Sequence, residues 1–218
     1  MVSTTSSIFG IILAAGNGRR MQGRIKALLK LNGSTTFIEK IIDDFENAGI
    51  HNIVVVLGYK NKIVNNFLVK KGLADKITVV INRNFNAEQI ISLKTAISVL
   101  PEECRAIIFT PVDHPLTKLS TYKTLIKSWQ KHKNKMYVPS YRRRKGHPAI
   151  FPKEIFKKIV TEKIEGGARA FFVKYPKKVK FISVNDPSIV MDFDYPKDIR
   201  EYSNSKETFY GKHLRKNS

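Results

Sequence analysis

A single cysteine, Cys104, stands in the 218 residues, so neither an intrachain disulfide nor a cysteine-based metal site is available. No apolar run approaches the ~20 residues that a membrane-spanning helix needs. The opening MVSTTSS has no charged n-region, and the apolar run after it ends in charge without a cleavage-like site. No signal peptide is read there, and a cytoplasmic protein is expected. Acidic residues are scarce: 18 Asp and Glu face 39 Lys and Arg, a formal net charge of +21. The imbalance is local. Between Lys118 and Lys180, nineteen Lys and Arg meet three Glu, and from Lys118 to His147 there is no acidic residue at all. Such a surface attracts polyanions (nucleotide, phosphorylated substrate or nucleic acid), or it is a merely solvated, lysine-rich face. The bland account suits most of these lysines. It suits Arg142-Arg143-Arg144-Lys145 least, because arginine pairs with phosphate bidentately.

Familiar motifs are missing too. The dinucleotide fingerprint fails because Met21 stands where a third glycine belongs, and no Gly-Lys-Ser/Thr closes a P-loop. His114 and His147 lack zinc-ligand spacing and read as loop histidines or as a general base. Ser92 has no nucleophile-elbow context. What is present is Ile8 to Lys26, IFGIILAAGNGRRMQGRIK. An apolar run fit for a buried strand breaks into Ala14-Ala15-Gly16-Asn17-Gly18, and Arg19, Arg20, Arg24 and Lys26 follow. Small residues let backbone N–H groups approach an anion, and the cations offset its charge. An ordinary strand-to-helix turn is the competing account of the glycines.

Further on, apolar strands alternate with helical periodicities. Strands are read at 52–57, 77–81, 105–109, 136–139, 149–151 and 179–184, with a short strand or turn at 26–31. Helices are read at 36–48, 61–68 (Ile63, Val64, Phe67 and Leu68 on one stripe), 89–100, 120–132, 155–160, 166–174 and 196–202. A loop is read at 82–86 and a basic loop at 141–147. The pattern predicts an α/β fold: one three-layer, Rossmann-like domain with a mostly parallel sheet covered on both faces. It spans 8–202, between a flexible 1–7 and a basic, frayed 203–218. Ligands of such sheets bind beyond the carboxyl ends of the strands. The loop after the first strand and Val112-Asp113 both lie there.

Asp113, between Pro111 and Pro115, is placed to hold a hard cation or to cap a turn. Asp192 and Asp194 face the same way in an extended segment, so one can complete a magnesium shell while the other caps the helix that begins at Pro196, as Asp198 also can.

Taken in order, LAAGNGRRMQGRIK, PVDHP, GHPAIF, GGAR and DFDYPKD resemble the MobA-like nucleotidyltransferases, most nearly their molybdenum cofactor cytidylyltransferase branch. The likeness covers about Ile8 to Tyr202. Gly16, Arg20, Met21 and, after one inserted residue, Lys26 match the LAAGxSxRMGxxK signature, and Leu13-Ala14-Ala15-Gly16 and Gly146-His147-Pro148 match the CTP-using branch. Several positions depart from the pattern: Asn17-Gly18 for x-Ser, no glycine near Glu88-Gln89, Tyr195 for threonine, and His114 for glutamine or methionine.

The resemblance implies a nucleotide-diphospho-sugar-transferase-like fold and Mg²⁺-dependent transfer of CMP from CTP to a phosphorylated acceptor, the molybdopterin cofactor. Leu13, Ala14, Ala15, Gly16, Asn17, Gly18, Arg20 and Lys26 would bind nucleotide, with Arg20 and Lys26 catalytic. Asp113, Asp194 and Asp192 would serve the metal, and His147, Arg144 and Arg169 the acceptor. A sugar- or alcohol-phosphate acceptor is a second reading. A catalytically inactive nucleotide- or nucleic-acid-binding protein is a third, though no nucleic-acid module is recognisable.

Overall fold

The computed structural model describes residues 7–31, 33–85, 88–162 and 166–215. Its strands are β1 (Ile8–Ala14), β2 (Lys30–Leu31), β3 (Thr35–Thr36), β4 (Asn52–Leu57), β5 (Ile77–Ile81), β6 (Ala106–Pro111), β7 (Met136–Tyr141), β8 (Arg144–Lys145), β9 (Ala149–Pro152) and β10 (Val179–Ser183). The α-helices are α1 (Phe37–Asn47), α2 (Asn61–Lys70), α3 (Gln89–Ile97), α4 (Leu119–Lys131), α5 (Lys153–Thr161), α6 (Ala168–Lys174), α7 (Pro196–Asn204) and α8 (Lys206–Arg215). The main sheet runs β10-β7-β9-β6-β1-β4-β5, with β8 beside β7. β5, β4, β1 and β6 are parallel; β9 lies antiparallel to both β6 and β7.

β1 shows why the sequence demands three layers. Ile8, Ile12 and Ala14 pack with α1, α2, α4, α7 and α8, while Ile11, Leu13 and Ala15 pack with α3, α5 and α6. Both faces of a period-two strand are buried, so the run reads as continuously apolar. α1 starts at Thr36, whose side chain accepts from Glu39 N while Glu39 accepts from Thr36 N, a reciprocal cap.

The short strand or turn expected at 26–31 is both, a 3-10 turn, Lys26–Leu28, followed by the short β2. Three other expectations need correcting. Ile63 does not join the inward stripe: it is 51% exposed, and α2 buries Val64 and Leu68 instead. The basic loop at 141–147 is a hairpin, with β8 paired to β7. Its two turn residues, Arg142 and Arg143, have φ of 48° and 65°, where asparagine and glycine are usual. The frayed tail is instead helix α8, because Phe209 is fully buried and stacks on Phe193, with centroids 4.9 Å apart. At the other end, Ser7 O accepts from Arg105 N, so Ser7 is tied to the sheet, while the rest of the expected flexible segment lies outside the described residues, as does Asn86 of the 82–86 loop.

Candidate active site

β1 has β4 on one side and β6 on the other, so the strand order reverses there and a crevice opens beyond the strand ends. A cleft of ≈ 420 Å³ fills that crevice. Its wall includes every nucleotide residue expected from the sequence: Leu13 to Gly18, Arg20 and Lys26. The loop is braced from within. Met21 N and Gly23 N both donate to Gly18 O, at 2.9 and 3.2 Å. Met21 is fully buried, so it anchors the loop where the dinucleotide fingerprint would carry glycine. Gly18 has φ +60°, and a Cβ there would lie 2.5 Å from Arg24 O. Gly16 differs: a Cβ there would meet nothing within 4 Å. The protein's own packing does not need that glycine, which leaves the space for a ligand.

Asp113 follows β6, and its carbonyl accepts from Phe193 N at 3.1 Å. That one backbone bond brings the late acidic segment to the first strand's loop. Lys26 Nζ then donates to Asp113 Oδ2 at 2.6 Å and to Asp194 Oδ1 at 2.7 Å. Arg20 Nη1 donates to Asp194 Oδ2 at 2.6 Å. Burial opposes ionisation of Lys26, but Asp113 and Asp194 outweigh it and hold the ammonium above its ordinary pKa. Burial likewise works against the Asp194 carboxylate, and Lys26 and Arg20 prevail, holding it below the usual carboxylate range.

Asp113 Oδ2 and Asp194 Oδ1 both lie within 2.7 Å of the one Lys26 ammonium, so two carboxylates face a single point. Among the described residues no group of three or more His, Cys, Asp and Glu converges. Two carboxylates supplemented by substrate phosphates are what Mg²⁺ accepts, whereas structural zinc asks for more protein ligands. The donor set therefore fits a magnesium-type ion.

Asp192 departs from its expected partner. It lines a second cleft of ≈ 800 Å³ and not the first, although its charge acts on both Arg20 and His114. Capping of α7 falls to Asp198, whose Oδ2 accepts from Asp194 N and Tyr195 N at 3.0 and 2.7 Å. The second cleft also holds the three expected acceptor residues, Arg144, His147 and Arg169. Arg144 is partly committed elsewhere, since its Nη1 donates to His213 O at 2.9 Å. Asp113, Pro111 and Gln89 line both clefts, so the two meet over the Asp113 carboxylate.

Sequence reasoning missed several wall residues. Phe85, Gln89 and Ser92 line the first cleft, and the buried Asn82 Nδ2 donates to Ser92 Oγ at 3.0 Å. The signal was a serine early in the helix that follows a parallel strand. In the second cleft His114 packs against His147, with centroids 4.9 Å apart. His114 Nε2 is 3.9 Å from Asp113 Oδ1, and the Nδ1 atoms of both rings are buried with no hydrogen-bond partner among the described residues. Burial lowers both imidazole pKa values, His147 well below the usual range, so both rings are neutral at pH 7. Cys104 is buried, and burial pushes its thiol up to about 12, which removes it as a nucleophile.

A parallel sheet with a small-residue loop at its switch point, cations behind the loop and paired acids at its rim defines a nucleotide-binding transferase domain. The chain belongs to the MobA-like NTP transferase domain family, whose sequence model matches residues 10–179. The family is described as one of NTP transferase domains. Among curated relatives, the bifunctional protein GlmU of Carboxydothermus hydrogenoformans is 30% identical over 119 residues, 54% of this chain and 25% of that protein. The chain thus spans about a quarter of that relative. Nicotine blue oxidoreductase of Paenarthrobacter nicotinovorans is 26% identical over 195 residues, 86% of this chain and 92% of that one. Among solved structures, Rv0371c of Mycobacterium tuberculosis H37Rv superposes with a TM-score of 0.73 at 23% identity, covering 93% of this chain and 100% of that one. A manganese complex of Rv0371c gives 0.64 at 21% identity, over 82% and 89%. No helix among the described residues is long and apolar enough to cross a membrane.

Proposed function

We propose that this protein is a cytoplasmic, Mg²⁺-dependent cytidylyltransferase that moves CMP from CTP to a phosphorylated acceptor, the molybdopterin cofactor by resemblance. One observation carries the reading: Lys26 bridges Asp113 and Asp194 where the two clefts meet. The triphosphate lies along the loop from Ala14 to Gly18, with the base directed towards Ser92 and Gln89. The acceptor enters from the side of His147, Arg144 and Arg169. An acceptor phosphate oxygen attacks the α-phosphorus and forms a new P–O bond. The bond to the β-bridging oxygen breaks, and its electron pair leaves with pyrophosphate.

Asp113 and Asp194 hold the metal, which when bound offsets charge on the phosphate oxygens. Lys26, released from the two carboxylates, meets the α-phosphate where charge builds in the transition state. Arg20 steadies the triphosphate from outside. Such catalysis is positioning and charge offset, with no covalent step on the protein.

The test is a panel of nucleoside triphosphates and phosphorylated acceptors scored by pyrophosphate release, with Asp113→Asn as control. The reading expects CTP to lead, turnover to need the cofactor acceptor, and Asp113→Asn to abolish it. Turnover with a sugar or alcohol phosphate instead supports the second acceptor class. The likeness to nicotine blue oxidoreductase over nearly its whole length favours one further reading, a redox enzyme on this fold. Dye reduction with no pyrophosphate release from any pair would decide for it.

A further inference from the structure

Helix α8 lies beyond the span that matches the family, yet one of its residues touches two wall residues of the second cleft, Asp192 and Arg144. The His213 ring sits with Nε2 3.1 Å from Asp192 O and Nδ1 3.0 Å from Phe209 O. The carbonyl of the same residue accepts from Arg144 Nη1 at 2.9 Å. His213 is 4% exposed and lines neither cleft. Its ring therefore holds the acidic segment, and its backbone holds the hairpin of the second cleft.

That segment needs holding. Residues 191–195 belong to no helix or strand. Their backbone is fixed by separate contacts, Phe193 N to Asp113 O, Asp194 N and Tyr195 N to Asp198, and Asp192 O to His213, while Lys26 and Arg20 hold the Asp194 carboxylate itself. Phe209 supports them from beneath by stacking on Phe193. Where no ladder shares the load, each of these backbone contacts helps to set where the segment's carboxylates stand.

We propose that His213 is a positioning residue that keeps Asp194 and Arg144 in register, coupling the metal-holding acid to the acceptor-facing cation. The functional consequence rests on the nucleotidyltransferase reading; the mechanical clamp does not.

The experiment compares the full chain with His213→Leu, His213→Asn and His213→Gln. Glutamine places an amide near Nε2 and keeps the bond to Asp192; asparagine falls short of it. Hydrogen–deuterium exchange is read at 190–195 and 141–147. Mn²⁺ affinity is read by electron paramagnetic resonance with a non-hydrolysable CTP analogue. Leucine and asparagine are expected to speed exchange in both segments, to weaken Mn²⁺ about 10- to 100-fold and to raise acceptor KM, as loss of a residue orienting a metal ligand does. Glutamine is expected to restore all three. Unchanged exchange in the asparagine variant, or glutamine behaving like leucine, overturns the clamp. Should leucine fail to fold, the asparagine–glutamine pair alone decides. A wild-type chain that binds no Mn²⁺–nucleotide overturns the nucleotidyltransferase reading, while the exchange comparison still judges the clamp.

Discussion

The two clefts that meet at Asp113 are built in opposite ways. The first, ≈ 420 Å³, takes most of its wall from one stretch, residues 13–27, closed by two strand-end loops. The second, ≈ 800 Å³, gathers residues from around 109–114, 143–149, 166–173 and 189–192. In the first, cations sit on carboxylates: Lys26 on Asp113 and Asp194, Arg20 on Asp194. At the hairpin of the second, Lys145 lies over the Phe181 ring at 4.5 Å and Arg142 over Tyr141 at 5.4 Å, and among the described residues neither has a carboxylate in ion-pair range. On the proposed reading the first is a cradle whose charges stay paired until a metal and triphosphate arrive. The second sets the hairpin cations Arg143, Arg144 and Lys145 in one wall with Asp113 and Asp192. A triphosphate is one shape that a short motif can encode, whereas an acceptor's shape must be assembled across the chain.

The comparison can be broken first at the shared rim. Lys26→Ala removes the charge proposed to meet the α-phosphate, and kcat is expected to fall about 10²- to 10³-fold with every acceptor. An effect confined to one acceptor would mean that Lys26 belongs to the second cleft alone. Next, Arg143→Glu with Lys145→Glu should raise acceptor KM about tenfold and leave CTP KM within about twofold, since lost charge-assisted pairing is local. Equal shifts in both constants would erase the division between the clefts.

Glycine sharpens it further. Gly16→Ala is expected to leave the thermal midpoint alone and raise CTP KM, because only a ligand needs that space. Gly18→Ala is expected to lower the midpoint by about 2–4 °C per kcal/mol of left-handed strain. Reversed outcomes would contradict the roles given to the two positions. The hairpin offers a smaller effect: Arg142→Asn with Arg143→Gly relieves two left-handed arginines and should raise the midpoint by a similar few degrees.

Smallest is the pH signature of the metal-free rim. Asp194 titrates below its unfolded value of about 3.9, so its stabilisation is present above that pH and is lost as pH falls through the depressed folded pKa. Lys26 titrates above its unfolded value of about 10.4, so its share is present below that pH and is lost as pH rises through the raised folded pKa. The stability difference between wild type and Lys26→Met should form a plateau across neutral pH that closes at both ends. A maximum near pH 6 would point to a histidine instead.

Legibility in the sequence followed this same division. The cradle could be read because strand, small-residue loop and cations are contiguous, from Ile8 to Lys26. The parallel sheet could be read because its strands are apolar on both faces. The hairpin could not, since Arg142-Arg143 carries none of the asparagine–glycine chemistry that marks such turns. Helix α8 was hidden because one buried phenylalanine, Phe209, sits in an otherwise polar stretch. Asp192 and Asp194 line different clefts in a segment tied to Asp113 through Phe193 N, a contact 80 residues apart that no local pattern announces. His213 and Ser92 act through single contacts with distant residues, which leave no periodic trace.

The central claim is that Asp113 and Asp194 jointly hold one divalent ion for a nucleoside triphosphate. Titrating wild type, Asp113→Asn and Asp194→Asn with Mn²⁺ by electron paramagnetic resonance, with and without the non-hydrolysable CTP analogue, tests it directly. The account predicts tight, nucleotide-dependent binding of one ion in wild type and a loss of more than about tenfold in each variant. Nucleotide-dependent binding of equal strength in all three proteins would contradict it.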